Sequence, residues 1–144
     1  MAESTRILIV DDDEAIVESN RDLLEAYGYE VHTALDGQKG FELALAVRPR
    51  VLVLDVMMTT DTEGFDIARR MSAAPELQGM AILLVTGVTQ ALGLIRLPTP
   101  DATWLPVDRI LEKPIDPARL IKEIERVLHE KSGVTGKPPE GNIP

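Results

Sequence analysis

Residues 7–10 read ILIV, residues 51–54 read VLVL and residues 81–85 read AILLV. Each run is continuous, apolar and rich in β-branched side chains, which is typical of strands buried on both faces of a parallel sheet. Weaker runs at residues 29–34 and 110–111 predict an edge strand and a short fifth strand. These runs decide the fold class, because parallel strands must be joined by long crossovers, which are usually helical.

Apolar side chains recur at helical spacing in the segments between the runs and again after the last one. Ile16 and Tyr27 belong to the stripe of the first helix, and Gly28 follows as its C-terminal cap. Asp36 is the predicted N-cap of the second helix and Asp116 that of the last. The alternation of strands and helices predicts an α/β fold, with a parallel sheet covered by helices on both faces.

Two segments lack a clear helical pattern. Residues 87–108 contain one internal glycine and three prolines, so the fourth helix of a regular alternation is expected to be short or remodelled. Residues 132–144 are rich in glycine and proline and are predicted to form a flexible C-terminal tail. The predicted domain therefore covers residues 1–131.

The composition narrows the range of functions. The chain has 144 residues, with 15 Lys and Arg against 24 Asp and Glu, giving a formal charge of −9. That length suits one domain, and the acidic balance argues against direct nucleic-acid binding. There is no cysteine, which excludes thiolate chemistry, and no apolar run long enough for a signal sequence or a membrane span. The sequence thus predicts a soluble, cytoplasmic protein with no membrane contact.

Polar residues that could bind a ligand or react lie just after the predicted strands. Asp11 and Asp12 follow the first run, Asp55 follows the third, Thr86 follows the fourth and Lys113 comes after the fifth. The carboxyl ends of parallel strands share one edge of the sheet, where ligands bind in such folds. The five side chains are therefore expected to converge on one site.

Carboxylates held close together repel, and a divalent cation removes that cost. Oxygen ligands without His or Cys favour Mg²⁺, with Mn²⁺ as the alternative. We expect Asp12 and Asp55 to be direct ligands, with the backbone carbonyl of Met57 and a water-mediated contribution from Asp11. In a plainer interpretation the acidic run only caps the following helix, a role that Asp13 and Glu14 are expected to have.

The same site could handle a phosphoryl group. Lys113 would supply a positive charge to a phosphoryl oxygen, and the Thr86 hydroxyl could bond another. Without cysteine, and without an evident Ser-His pair, the best nucleophile is a carboxylate, which can form an acyl phosphate. Asp55 is the best placed, because it directly ends the central apolar strand.

Four motifs together resemble the receiver domain of bacterial two-component response regulators. They are ILIVDDDEAI at 7–16, VLVLDVMM at 51–58, LLVTG at 83–87 and EKPID at 112–116. The resemblance implies a flavodoxin-like, doubly wound sheet of five parallel strands in the order 2-1-3-4-5. It also implies Mg²⁺-dependent phosphorylation of the third-strand aspartate by a partner's phosphohistidine.

Carried over to this chain, the resemblance assigns metal binding to Asp11, Asp12 and Asp55 and phosphorylation to Asp55. Thr86 and Lys113 would sense the phosphoryl group. The implied donors are a sensor histidine kinase or a histidine phosphotransfer protein, and the output would be contact with a downstream protein. The chain would not be an enzyme beyond self-catalysed phosphorylation and dephosphorylation.

Three features depart from the family pattern. The loop TTDTEG at 59–64 holds one extra residue, and Ile110 stands where the family has its switch aromatic. Thr86 and Lys113 are also further apart in the chain than the resemblance leads us to expect.

Two other functions remain open. One is a docking module with this fold that is never phosphorylated. The other is a phosphoaspartate hydrolase of the haloacid dehalogenase type, in which Asp11 and Asp13 would form a D-x-D motif. Against the hydrolase, Ala15 stands where that motif continues with Thr or Val, and no cap domain is evident.

Overall fold

The computed structural model describes residues 5–55, 63–86, 106–113 and 115–131. The strands within these ranges are β1 Arg6–Val10, β2 Glu30–Ala34, β3 Val51–Asp55, β4 Ala81–Thr86 and β5 Arg109–Glu112. The helices are α1 Glu14–Ala26, α2 Gly37–Val47, α3 Glu63–Ala73 and α4 Pro117–Lys131, with a short 3-10 turn at Pro75–Leu77. No helix in these ranges is long and apolar enough to cross a membrane.

The strands form a single sheet in the order β2-β1-β3-β4-β5, and every neighbouring pair is parallel. The predicted fold class and strand order are therefore confirmed. The short or remodelled helix expected within residues 87–108 lies almost entirely outside the described residues, as does the tail predicted at 132–144. The first described residues after that gap, 106–108, lead directly into β5.

Alternation along the strands divides the core into two layers. Leu8 and Leu52 point to one face of the sheet, where α2 and α3 pack, and Ile7 and Val53 point to the other, where α1 and α4 pack. Successive side chains of a strand point to opposite faces, so a continuous apolar run serves both layers at once. This explains why β1, β3 and β4 read as unbroken apolar segments.

The helix ends follow the sequence signals. The side chain of Asp13 accepts hydrogen bonds from the first turn of α1, and Asp36 caps α2 through the amide of Lys39. Gly28, just past α1, has a φ of +93°, which suits glycine. The apolar stripe of α1 is only partly buried, because Ile16 at its start and Tyr27 just past its end are 37% and 58% exposed.

One close approach between α2 and the sheet requires a glycine. A Cβ placed on Gly40 would lie 2.6 Å from Cγ2 of Val10, a fully buried residue of β1. Atoms in a packed core cannot move apart freely, so the helix sits at this distance only because residue 40 has no side chain.

We expect Gly40→Ala to lower the free energy of unfolding by about 1–2 kcal/mol, because the overpacking against Val10 outweighs the helix propensity of alanine. Urea unfolding measures the change. Ala46→Gly, on the exposed side of α2, is the control for helix propensity alone. It should lower the free energy of unfolding by about 1 kcal/mol. In a Val10→Ala background, Gly40→Ala should become neutral or stabilising. A gain in stability from Gly40→Ala alone would contradict the packing argument.

Candidate functional site

The carboxyl ends of four strands bring distant residues to one edge of the sheet. Asp11 follows β1 and extends its pairing with β2, since the Asp11 amide donates to the Ala34 carbonyl at 3.2 Å. Asp55 is the last residue of β3, and Thr86 is the last of β4. The Lys113 amide donates to the Thr86 carbonyl at 2.8 Å, which continues the pairing of β4 with β5. Backbone pairing between the strands therefore positions the Cα atoms that carry these side chains.

An ammonium group lies between two buried carboxylates. Lys113 Nζ is 3.0 Å from Asp55 Oδ2 and 3.7 Å from Asp11 Oδ2. Asp11 and Asp55 are only 5% and 3% exposed, and Thr86 is fully buried. A buried carboxylate is costly unless it is paired, and Lys113 is the cation that pairs with both aspartates.

Three carboxylates form a group that fits a metal ion. Oxygen atoms of Asp11, Asp12 and Asp55 lie within 4.8 Å of one another, and Asp12 is exposed. Three ionised carboxylates against one lysine leave a local charge of −2, which a hard divalent cation would neutralise. The donor set is oxygen only, as the sequence predicted. Met57, whose carbonyl was expected to be a further ligand, lies outside the described residues.

Burial and neighbouring charges change the pKa values of Asp11 and Lys113. The pKa of Asp11 is raised from 3.8 to about 6, chiefly by burial and in part by the negative charge of Asp55, while the Asp13 amide and Lys113 oppose the rise. The pKa of Lys113 is itself raised. Burial lowers it, but the hydrogen bond and charge of Asp55, with the charge of Asp11, outweigh that effect.

Asp13 has a structural role, as the sequence predicted. Its Oδ1 accepts hydrogen bonds from the amides of Ala15 at 3.0 Å and Ile16 at 3.3 Å, which caps α1. Its own amide donates to Asp11 Oδ1 at 2.9 Å, so the turn also orients the Asp11 carboxylate. Within the acidic run, Asp11 therefore belongs to the site, whereas Asp13 caps α1.

A groove beside the site was not foreseen from the sequence. A hollow of about 680 Å³ lies between the start of α1 and the start of α4 and reaches the Asp55 and Lys113 side chains. Apolar residues make up most of its lining, among them Ile16 and Ile115. Ile16 was assigned to the apolar stripe of α1, and its partial exposure is explained by its position on the rim of this groove.

Comparison with known proteins agrees with this geometry. The profile of the response regulator receiver domain matches residues 7–125. The DNA-binding dual master transcriptional regulator RpaA of Synechocystis is 32% identical over 123 residues, which cover 85% of this chain and 48% of RpaA. Response regulator MprA of Mycobacterium ulcerans is 41% identical over 83 residues, 58% of this chain and 34% of MprA. The chain therefore spans half or less of the length of these curated relatives.

Solved structures of similar fold cover nearly the whole chain. A CheY-like response regulator receiver domain protein from Methanospirillum hungatei has a TM-score of 0.72 and 28% identity, over 90% of this chain and 98% of that one. Chemotaxis response regulator CheY4 of Vibrio cholerae has the same TM-score and identity, over 88% of this chain and all of its own. In both cases the match covers nearly the entire length of the solved chain.

We expect Asp11→Asn to stabilise the metal-free protein by about 3 kcal/mol at pH 7.5, since the pKa of Asp11 rises from 3.8 to about 6 and one pKa unit corresponds to about 1.4 kcal/mol. The folded-state pKa lies above the unfolded value, so the wild type loses stability as the pH rises from about 4 to 6. The gain of the variant should therefore be small near pH 4 and reach its full size above pH 6.5.

Unfolding in urea with a chelator, repeated across this pH range, measures the gain. Glu18→Gln is the matched control, because it removes the same charge from an exposed position on α1. An equal gain in the control, or a gain that does not change with pH, would contradict the role of Asp11 burial.

Proposed function

Because the chain belongs to the response regulator receiver domain family of two-component systems, we propose that it accepts a phosphoryl group on Asp55. The proposed donor is the phosphohistidine of a sensor histidine kinase or of a histidine phosphotransfer protein. The phosphorylated chain would signal by contact with a downstream protein, without binding nucleic acid or membrane directly. In this proposal residues 1–131 form the receiver domain, 132–144 are a flexible tail, and the protein is cytoplasmic.

The observation that carries the proposal is the environment of the Asp55 carboxylate. It ends the central strand β3, is almost fully buried, and has Lys113 Nζ at 3.0 Å. A nucleophile fixed on a strand between covered sheet faces needs little reorganisation before it attacks. Lys113 holds a positive charge where the oxygens of an incoming phosphoryl group would gather.

The chemical step exchanges one bond to phosphorus for another. A carboxylate oxygen of Asp55 forms the new P–O bond as the P–N bond to the donor's imidazole breaks, and the imidazole retains the electron pair of that bond. Lys113 neutralises part of the charge on the transferred group, and the Thr86 hydroxyl can donate to one of its oxygens. The product is an acyl phosphate on Asp55, which water can later hydrolyse.

Asp11, Asp12 and Asp55 would hold a Mg²⁺ ion, with Mn²⁺ as a substitute and the Met57 carbonyl as a further proposed ligand. The ion supplies charge neutralisation for the phosphoryl group when bound. Asp12, the exposed member, would reach the ion from the solvent side, whereas Asp11 is oriented by the Asp13 amide.

The first test is phosphorylation by a small acyl phosphate in the presence of Mg²⁺, followed by intact-mass and peptide mass spectrometry. Wild type should gain one phosphoryl group on Asp55, and Asp55→Asn should gain none, because an amide is not nucleophilic enough. Asp22→Asn, at an exposed position on α1, is the control and should behave as wild type.

The alternatives predict different results. No adduct on the wild type would indicate a docking module that is not phosphorylated. An adduct on Asp55→Asn would show that another residue is the acceptor. Sustained release of phosphate from organic phosphate esters, with many turnovers, would favour the hydrolase.

The second test separates the two neighbouring acids. Asp12→Asn should weaken Mg²⁺ binding by about tenfold or more, a loss of about 1.4 kcal/mol, because a charged ligand is replaced by a neutral one. Asp13→Asn should change it less than about twofold, since asparagine can also cap α1. Calorimetric titration of Mg²⁺ into each variant gives the affinities. Equal losses would mean that both acids, or neither, act as ligands.

A further inference from the structure

Two neighbouring helices leave apolar surface exposed on one side of the molecule. α1 and α4 pack on the same layer of the core, through residues such as Val17 and Ile124. The groove described above opens between their first turns. Ile16 and Tyr27, on the apolar stripe of α1, remain 37% and 58% exposed. We call the outer surface of these two helices the α1–α4 face.

The two helices of this face carry opposite charge. α1 has four acidic residues and one basic residue, and α4 has four basic and three acidic residues with His129 neutral. The exposed acids of α1 are Glu14, Glu18, Asp22 and Glu25, and the exposed cations along α4 are Arg119, Lys122 and Arg126. Net charges of −3 and +1 therefore lie side by side, one on each helix.

One acid of α4 lies beneath its cations. Glu123 is only 6% exposed and pairs with Arg109 of β5 at 3.3 Å. Arg119 and Arg126 also approach this carboxylate, at 3.7 and 3.5 Å, but their side chains are 61% and 56% exposed. The outer side of α4 therefore presents guanidinium groups to solvent, while the carboxylate that they share is covered.

The other two acids of α4 interact within the chain. Glu130 pairs with Arg109. Burial, and after it the charge of Glu125, raises the pKa of Tyr29, which follows α1 in the chain. Glu125 thus lies on the side of α4 that is turned toward α1, and not among the cations of the outer side.

Acids and cations lie at matching heights along the two helices. Each helix follows a parallel strand of the same sheet, so both begin at its carboxyl end and run in the same direction. At 1.5 Å per residue both are about 20 Å long. Glu18 and Asp22 are the fifth and ninth residues of α1, and Lys122 and Arg126 are the sixth and tenth of α4.

We propose that the α1–α4 face binds the same face of a second copy of this chain, with a two-fold axis running along the groove. Such an axis keeps each height and exchanges the two sides, so α1 of each copy packs against α4 of the other. Glu18 then meets Lys122 of the other copy, and Asp22 meets Arg126. The exposed Ile16 and the apolar groove are covered between the rows of charge.

The charge pattern selects both the occupant and the axis. A partner helix of one charge sign would be attracted by one helix of the face and repelled by the other, whereas a copy of the face complements both. A two-fold axis running across the helices would place α1 on α1, where like charges repel. Only the axis along the groove brings every acidic row against a basic one.

The test is sedimentation of the full chain over a range of concentrations, without metal or phosphodonor. Wild type should form a reversible dimer. Glu18→Lys and Lys122→Glu should each weaken association by about tenfold or more, because like charges then face each other twice in each dimer. Lys39→Glu makes the same change of charge at an exposed position on α2, on the other side of the sheet, and should dimerise as wild type does.

Mixing the two variants tests the symmetry. An equimolar mixture of Glu18→Lys and Lys122→Glu chains should associate as wild type does, because each altered residue then meets the opposite charge in the other chain. Circular dichroism of each variant shows that it is folded, so that weaker association is not loss of structure.

Three results would overturn the proposal. A wild type that stays monomeric at every concentration would mean that a second copy does not cover this face. Single variants that associate as tightly as wild type would place the contact elsewhere on the molecule. A mixture that does not recover association would show that these charges do not meet across a two-fold axis. No phosphodonor is present, so the outcome is independent of the phosphorylation of Asp55.

Discussion

Three carboxylates meet one lysine at the carboxyl end of the sheet, and this crowding of negative charge is the constraint on which the site depends. Lys113 Nζ lies between Asp55 at 3.0 Å and Asp11 at 3.7 Å, yet the pKa of Asp11 is still raised to about 6. The lysine therefore compensates the group incompletely. A site with excess negative charge has a built-in affinity for a cation, and its charge balance changes when a phosphoryl group arrives.

Groups that repel one another stay together only if the backbone holds them there. The parallel pairing of β1, β3, β4 and β5 brings their carboxyl ends to a single edge, and burial on both faces keeps the strands from separating. Asp13 adds local control, because it caps α1 and its amide also binds the Asp11 carboxylate. The stability of the apolar layers offsets the electrostatic cost at the site.

The two ends of the sheet differ in charge. Helices that follow parallel strands begin near the strands' carboxyl ends, so α1 starts beside the acidic site, where its N-terminus is favourable to negative charge. At the other end α2 and α4 finish near Arg48 and Lys131. Arg48 and Lys131 therefore lie where helix C-termini favour cations, away from the carboxylates of the site.

The sequence by itself determined the five strands, their parallel class, the caps at Asp13 and Asp36, and the five polar residues at the strand ends. These features are local or periodic, so a window of a few residues contains the physical cause. Ile16 and Tyr27 show what helical periodicity leaves open. It places both residues on the apolar stripe of α1, but it does not determine how much of that stripe the sheet buries.

Only the tertiary structure decided how distant segments meet. Lys113 and Asp55 are 58 positions apart, and no local pattern specifies that the lysine also approaches Asp11. Glu123 is buried on α4 with Arg109 of β5 at 3.3 Å, a pairing between a helix and a strand that no local pattern specifies. Contact distances, the shift of the Asp11 pKa and the shape of the groove beside the site depend on packing between elements, which a one-dimensional pattern does not contain.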